Sequence, residues 1–219
     1  MRLSQATSVR PLTTHTYAAD FQPGWTIGTV PHGGYVTAAF QQVIRTHFAT
    51  TLSKQKQPHT ITLHLDFLRR TQLGPATFTV KDVKLGRQTS IVHVTLSQEG
   101  REEVVGYFTQ SNLDTESGVS FPTGWELSPK PPPVDVSKLD NDTDSLWGER
   151  YDMPFSDFRA ASKQIRHWYP RAGQHNFSTI DMWTCLKDSE DRFTNESLGF
   201  VADMCKAIPG KSDAGAMQC

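Results

Sequence analysis

The chain has 219 residues, enough for one large core or two units of ~100 residues each. Its 22 Lys and Arg nearly cancel 23 Asp and Glu, leaving a net charge of −1. That balance argues against a nucleic-acid partner and against an acidic interaction tail. With 37% hydrophobic residues, a mean hydropathy of −0.47 and no apolar run near the ~18–20 residues of a membrane span, the composition is that of a soluble, rather polar protein.

The amino terminus lacks the apolar stretch of a secretory signal, and Gly215-Ala-Met-Gln-Cys219 is neither a peroxisomal address nor a prenylation box, so the expected compartment is the cytoplasm. Cys185, Cys205 and Cys219 are odd in number and form no CxxC pair. Neither a disulfide framework nor a cysteine zinc site follows, and no resident metal or cofactor is expected.

Residues 1–24 are mixed and turn-rich, and a loop crowded with helix breakers runs from Trp25 to Gly34. After it Val36, Phe40, Val43, Ile44, His47, Phe48 and Leu52 fall on one face of a helix of about five turns, closed by the polar run ending at Pro58. Period two follows. Ile61, Leu63, Leu65 and Phe67 alternate with polar residues and predict a half-buried strand. A second strand carries Phe78 and Val80, then Val83 and Leu85, a phase slip that predicts a bulge. Val92, Val94 and Leu96 mark a third strand, and after a turn at Glu99-Gly100-Arg101 a fourth runs through Val104, Val105, Tyr107 and Phe108.

Residues 111–160 open with a proline-rich, polar stretch that predicts a linker, partly extended, with Trp125 and Trp147 docked on a folded surface. Residues 165–170 and 177–187 are expected as strands, and residues 196–207 as a helix capped by Thr194 or Asn195, with Leu198, Val201, Ala202 and Cys205 on one side. The boundaries are thus a first domain at 1–110, the linker at 111–160, a second, partial unit at 161–208 and a disordered tail at 209–219.

Three groups of residues carry chemistry. Pro31-His32-Gly33-Gly34-Tyr35 opens the long helix, where the first N–H groups lack intrahelical partners and hold the positive end of the dipole. Paired glycines there serve either a tight turn or the close approach of a ligand oxygen, such as a thioester carbonyl whose oxyanion needs donors. The helix itself has no Asp or Glu, and Thr37, Gln41 and Gln42 stand where a catalytic carboxylate would be sought. Asp203 lies in the apolar stretch Leu198-Gly-Phe-Val-Ala-Asp-Met204, either on a wet face or buried. Burial would raise its pKa and let it orient or deprotonate a water. Arg87 in the Gly86-Arg87 turn, with Lys81, Lys84 and the pair Arg69-Arg70, could meet the phosphates of an anionic group or be ordinary solvated charge.

Trp25 with Pro31–Tyr35, then His64-Leu-Asp-Phe-Leu68, then Leu85-Gly-Arg-Gln and Val94-Thr-Leu-Ser-Gln98, together with Leu198–Met204, resemble the thioesterase-like superfamily, double hot-dog proteins related to acyl-CoA thioesterase II. The resemblance covers roughly residues 20–110 and 163–206. It implies an α+β hot-dog fold, an antiparallel sheet wrapped around a long central helix, with one complete hot-dog and a partial second one. It also implies hydrolysis of acyl-CoA by direct water attack, with Asp203 as the family's aspartate and CoA as part of the substrate. The threonine and glutamine that complete the family's water-holding trio have no counterpart here, which leads to the expectation of a truncated form. His32, Gly33, Gly34, Tyr35 and Arg87 are the expected substrate contacts, with the acyl tail against Phe40 or Phe67. The alternatives are a non-catalytic acyl-binding or dimerisation module and a hot-dog dehydratase or hydratase, the latter disfavoured by the lack of a carboxylate on the first helix. Open strand edges fit a homodimer.

Overall fold

The structure is a computed structural model that describes residues 1–150, 157–176 and 178–204. A short helix α1 (Leu3–Ala6) and strands β1 (Arg10–Pro11) and β2 (Thr16–Phe21) precede a small hairpin, β3 (Thr26–Ile27) with β4 (Val30–Pro31). Helix α2 (Gly33–Ala49) follows, then β5 (His59–Phe67), β6 (Gly74–Lys84), β7 (Ser90–Gln98) and β8 (Arg101–Ser111). The long helix and the four strands after it are those the periodicities predict. The two amino-terminal strands were not legible, because β2 shows no clean alternation.

These strands form an antiparallel sheet ordered β1-β2-β6-β7-β8-β5. The turn at Glu99 and Gly100 joins β7 to β8 with positive φ at both residues (50° and 75°), as a two-residue hairpin of matching twist requires. The register slips between Asp82 and Lys84, where the phase change in β6 predicts a bulge. The sheet wraps α2. Val36, Phe40, Val43 and Ile44 pack into one core with Phe78, Val92, Val94, Leu96, Val104 and Phe108. Phe40 sits edge-on to Phe78 at 4.9 Å and stacked over Phe108 at 6.0 Å.

Three expectations need correction. The apolar face of β5 is not buried: Ile61, Leu63 and Phe67 are 43%, 37% and 50% exposed. β5 is the edge of the sheet, and α2 reaches it only marginally, so among the described residues little covers that face. Trp125 is 74% exposed rather than docked, within a stretch, 113–128, in which every residue is exposed. The second helix, α4 (Leu198–Asp203), starts two residues later than predicted because a 3-10 turn at Asn195–Ser197 occupies its expected start. Residues 205–207 of that expected helix, Phe177, Cys205, Cys219 and the expected disordered tail lie outside the described residues.

The segment after β8 is more than a spacer. It contributes helix α3 (Val136–Leu139) and strand β9 (Trp147–Arg150), which pairs with β10 (Ile165–Pro170), itself paired with β11 (Trp183–Leu186). Leu139, Trp147 and Trp168 make a second small core, and Trp147 docks as expected, its indole donating to Pro133 O at 3.0 Å. Arg166 ties this unit together. It bonds Glu149 and Asp140 and lies over Trp168 at 4.6 Å. Ala161, Ile165, Leu186, Phe200 and Met204 join the main core instead, so the carboxy-terminal elements pack onto the first sheet-and-helix unit.

Candidate active site

The site forms where α4 crosses the start of α2, and glycines allow that crossing. A Cβ on Gly34 would stand 2.8 Å from both Asp203 Cβ and Phe200 Cα, and one on Gly199 would stand 2.4 Å from Thr37 Cγ2. Those distances are below contact range, so the two helices approach this closely only without side chains at these positions. Gln41 fixes the crossing: its Oε1 accepts from Gly199 N at 3.1 Å, and its Nε2 donates to Asn195 O at 3.4 Å. Farther along, Arg45 pairs with Glu196 at 3.1 Å.

His32 caps α2. Its Nδ1 accepts from the Gly34 N–H at 3.1 Å, and its ring lies against Phe200 at 5.6 Å. The same N–H donates to Asp203 Oδ2 at only 2.6 Å, across 169 positions of sequence. His32 Nδ1 and Asp203 Oδ2 are 3.5 Å apart. The glycine motif and the aspartate thus meet at one backbone donor at the positive end of a 17-residue helix. Burial pushes the His32 pKa down, the Asp203 charge pulls it back up in part, and Arg159 adds to the lowering. The ring is therefore neutral near pH 7, and as an acceptor at Nδ1 it carries its proton on Nε2.

Asp203 is on the wet side of α4, its side chain 53% exposed. Burial is therefore not what holds it in place; the helix terminus that donates to one of its oxygens is. Among the described residues both polar contacts of Asp203 use Oδ2, and Oδ1 has none. Beside it lies Phe67, whose ring is 3.9 Å from where a Gly33 Cβ would be.

The other expected contacts lie elsewhere. The Tyr35 side chain turns into the core, packed on Phe21 and Trp25, with its hydroxyl donating to Ala6 O at 2.8 Å and accepting from Gln22 N. Burial pushes its pKa up to about 12. Phe40 is fully buried under the sheet. Arg87 lies at the far end of α2, where its carbonyl and that of Gly86 accept from Gln57. Arg69 and Arg70 follow Phe67 by two and three positions. With Arg101, Thr29 and the buried Glu103 they line an open cavity of about 640 Å³, where Arg70 bonds the Thr29 hydroxyl and Arg101 faces Glu103 at 3.4 Å. The sequence marks Gln41 only as standing in place of a carboxylate and assigns Phe200 and Arg159 no role at the site. Only Gln41, a polar residue in the apolar stripe of α2, left a signal.

The wrapped long helix is the hot-dog fold, and three solved structures share it at low sequence identity. A protein described as a thioesterase II from Thermobifida fusca is 21% identical with a TM-score of 0.67, covering 94% of this chain and 73% of that one. A hot dog fold protein from Alicyclobacillus acidocaldarius is 13% identical with a TM-score of 0.64, covering 94% and 69%. One described as a thioesterase from Novosphingobium aromaticivorans is 19% identical with a TM-score of 0.64, covering 90% and 71%.

In sequence, residues 21–111 match the acyl-CoA thioesterase N-terminal domain. The chain is also 34% identical over 218 residues to the thioesterase-like protein TwmA of Talaromyces wortmannii, covering 91% of this chain. It spans 61% of that relative's length. The chain is thus similar in sequence to thioesterase-like proteins and carries the hot-dog fold.

Proposed function

We propose that the protein hydrolyses acyl-CoA thioesters by direct attack of water. The observation that carries this reading is Asp203 held at 2.6 Å from the Gly34 amide at the start of α2. A half-exposed carboxylate can take the proton of a water, and amides at a helix terminus can stabilise the oxyanion that forms on the thioester carbonyl. The water's oxygen bonds the carbonyl carbon, the C–S bond breaks from the tetrahedral intermediate, and the departing thiolate recovers the proton. Similarity to thioesterase-like proteins supports the same chemistry.

The acyl-CoA class is supported by the cationic cavity of Arg69, Arg70 and Arg101 beyond Phe67, which fits phosphate groups better than Arg87 does from the other end of the helix. Phe67, half exposed beside Gly33, offers the acyl tail an apolar surface. No helix among the described residues is long and apolar enough to cross a membrane.

Thiol release from short- to long-chain acyl-CoAs tests the reading. Purified, folded chain should turn over, and Asp203→Asn should lose about 10²–10⁴-fold in kcat, the usual worth of a positioned general base. Full activity in Asp203→Asn would sink the mechanism, and tight acyl-CoA binding with no turnover would leave a binding module in place of an enzyme.

A further inference from the structure

At the opposite end of α2 from Asp203, three distant segments bring their titratable side chains to one point. His47 sits in the last turn of α2, His15 just before β2, and Asp82 at the bulge of β6. His47 Nε2 is 3.1 Å from Asp82 Oδ1, and His15 Nε2 is 3.3 Å from Asp82 Oδ2. The two imidazole rings are 5.1 Å apart, and the three ligating atoms lie within 4.8 Å of one another.

We propose that His15, His47 and Asp82 form a binding site for a divalent transition-metal ion of the zinc class. Zn–N and Zn–O bonds of about 2.0–2.2 Å in tetrahedral array put ligand atoms about 3.3–3.6 Å apart, close to the 3.1 and 3.3 Å that separate the imidazole nitrogens from the carboxylate. Two imidazoles and one carboxylate select zinc-like ions over magnesium or calcium, which favour all-oxygen sets. His47 is fully buried, whereas the rims formed by His15 and Asp82 are 41% and 26% exposed, so an ion can enter from solvent and keep a water.

The outer contacts are those of a ligand set. His47 Nδ1 is 2.8 Å from Tyr17 Oη, and that hydroxyl donates to Thr14 O at 3.3 Å. A hydroxyl that donates there can accept the His47 Nδ1–H, which leaves Nε2 as the nitrogen available to an ion beside Asp82. His15 is held likewise, its Nδ1 at 2.9 Å from Thr14 Oγ1. Such partners fix the ring and tautomer of metal-bound histidines. The competing arrangement is a plain hydrogen-bond relay from Tyr17 through His47 to Asp82, but a relay gives no reason for a second imidazole to converge on the same carboxylate. The lack of a cysteine pattern has no bearing on this set, since no cysteine belongs to it.

The full chain, stripped with EDTA and dialysed against Zn²⁺, should retain about one equivalent more than His15→Ala, measured by elemental analysis. Asp82→Asn gives the same comparison independently if His15→Ala does not fold. Co²⁺ should produce visible ligand-field absorption in the wild type that is missing in either variant. Tyr17→Phe, which keeps the ring's packing, should weaken binding about 10–100-fold. Asp203→Asn should leave binding unchanged, which separates this site from the His32–Asp203 pair. Equal retention by wild type and both variants, or no retention by folded wild type, overturns the proposal.

Discussion

The Gly34 amide is shared by two acceptors, and the shorter bond goes to the charged one, as charge-assisted hydrogen bonding requires. That geometry depends on glycine at both sides of the helix crossing. In Gly199→Ala the new methyl would fall 2.4 Å from Thr37 Cγ2. The overpacking cost of about 1–3 kcal/mol outweighs or cancels the ~1 kcal/mol that alanine gains in helix propensity. We expect net destabilisation of up to ~2 kcal/mol in urea melts. We also expect a loss of thiol release larger than that stability change explains, because α4 must move away and carry Asp203 from the Gly34 amide. Retained stability together with full activity would show that the crossing has slack.

At the level of elements, α2 is the organising piece, and its buried face is aromatic where the sheet closes on it. Phe40, with no exposure and two ring partners, is the key contact. Phe40→Ala should cost about 3–5 kcal/mol, read from the denaturation midpoint, with the pocket left behind too enclosed to refill. A cost below ~1 kcal/mol would mean that the core collapses around the cavity. This helix and strands β5 to β8 were legible because period 3.6 is strong over α2, period 2 is clean in β5 and β7, and short turns bound the less regular β6 and β8. β2 escaped because its buried positions, Tyr17 and Phe21, are four apart and mimic a helical spacing, whereas tertiary pairing with β6 decides its conformation. The buried face expected of β5 failed for a related reason: alternation reports which face is apolar and says nothing of whether another layer covers it.

Across the whole molecule, burial lowers the pKa of His32 and His167, and both ring nitrogens of His167 are enclosed without a hydrogen-bond partner among the described residues. A histidine whose folded pKa is depressed binds its proton more readily when unfolded. The stability from keeping it neutral is complete above the ordinary value of about 6.5 and is lost as pH falls toward the depressed value. The melting temperature should therefore fall between pH 7 and pH 5, and His167→Phe should flatten that slope in a calorimetric series. An unchanged slope would place the proton uptake elsewhere. The candidate site shows the same divide between local and global information. Its two parts, the His-Gly-Gly turn and Asp203, were each recognisable as motifs, but only the folded chain puts them on one amide. The His15–His47–Asp82 cluster left no trace in the sequence, since its members stand 32 and 35 positions apart in three separate segments.

The bond between Gly34 and Asp203 spans a stretch, residues 113–128, in which every residue is exposed. The covalent path between the two halves of the site is thus the part of the chain that holds it together least. The crossing of α2 and α4, the Arg45–Glu196 pair and the shared core keep the halves in register without that path. A protease that cut this stretch would divide the polypeptide and leave the site assembled, much as two separately made fragments could reconstitute it by docking.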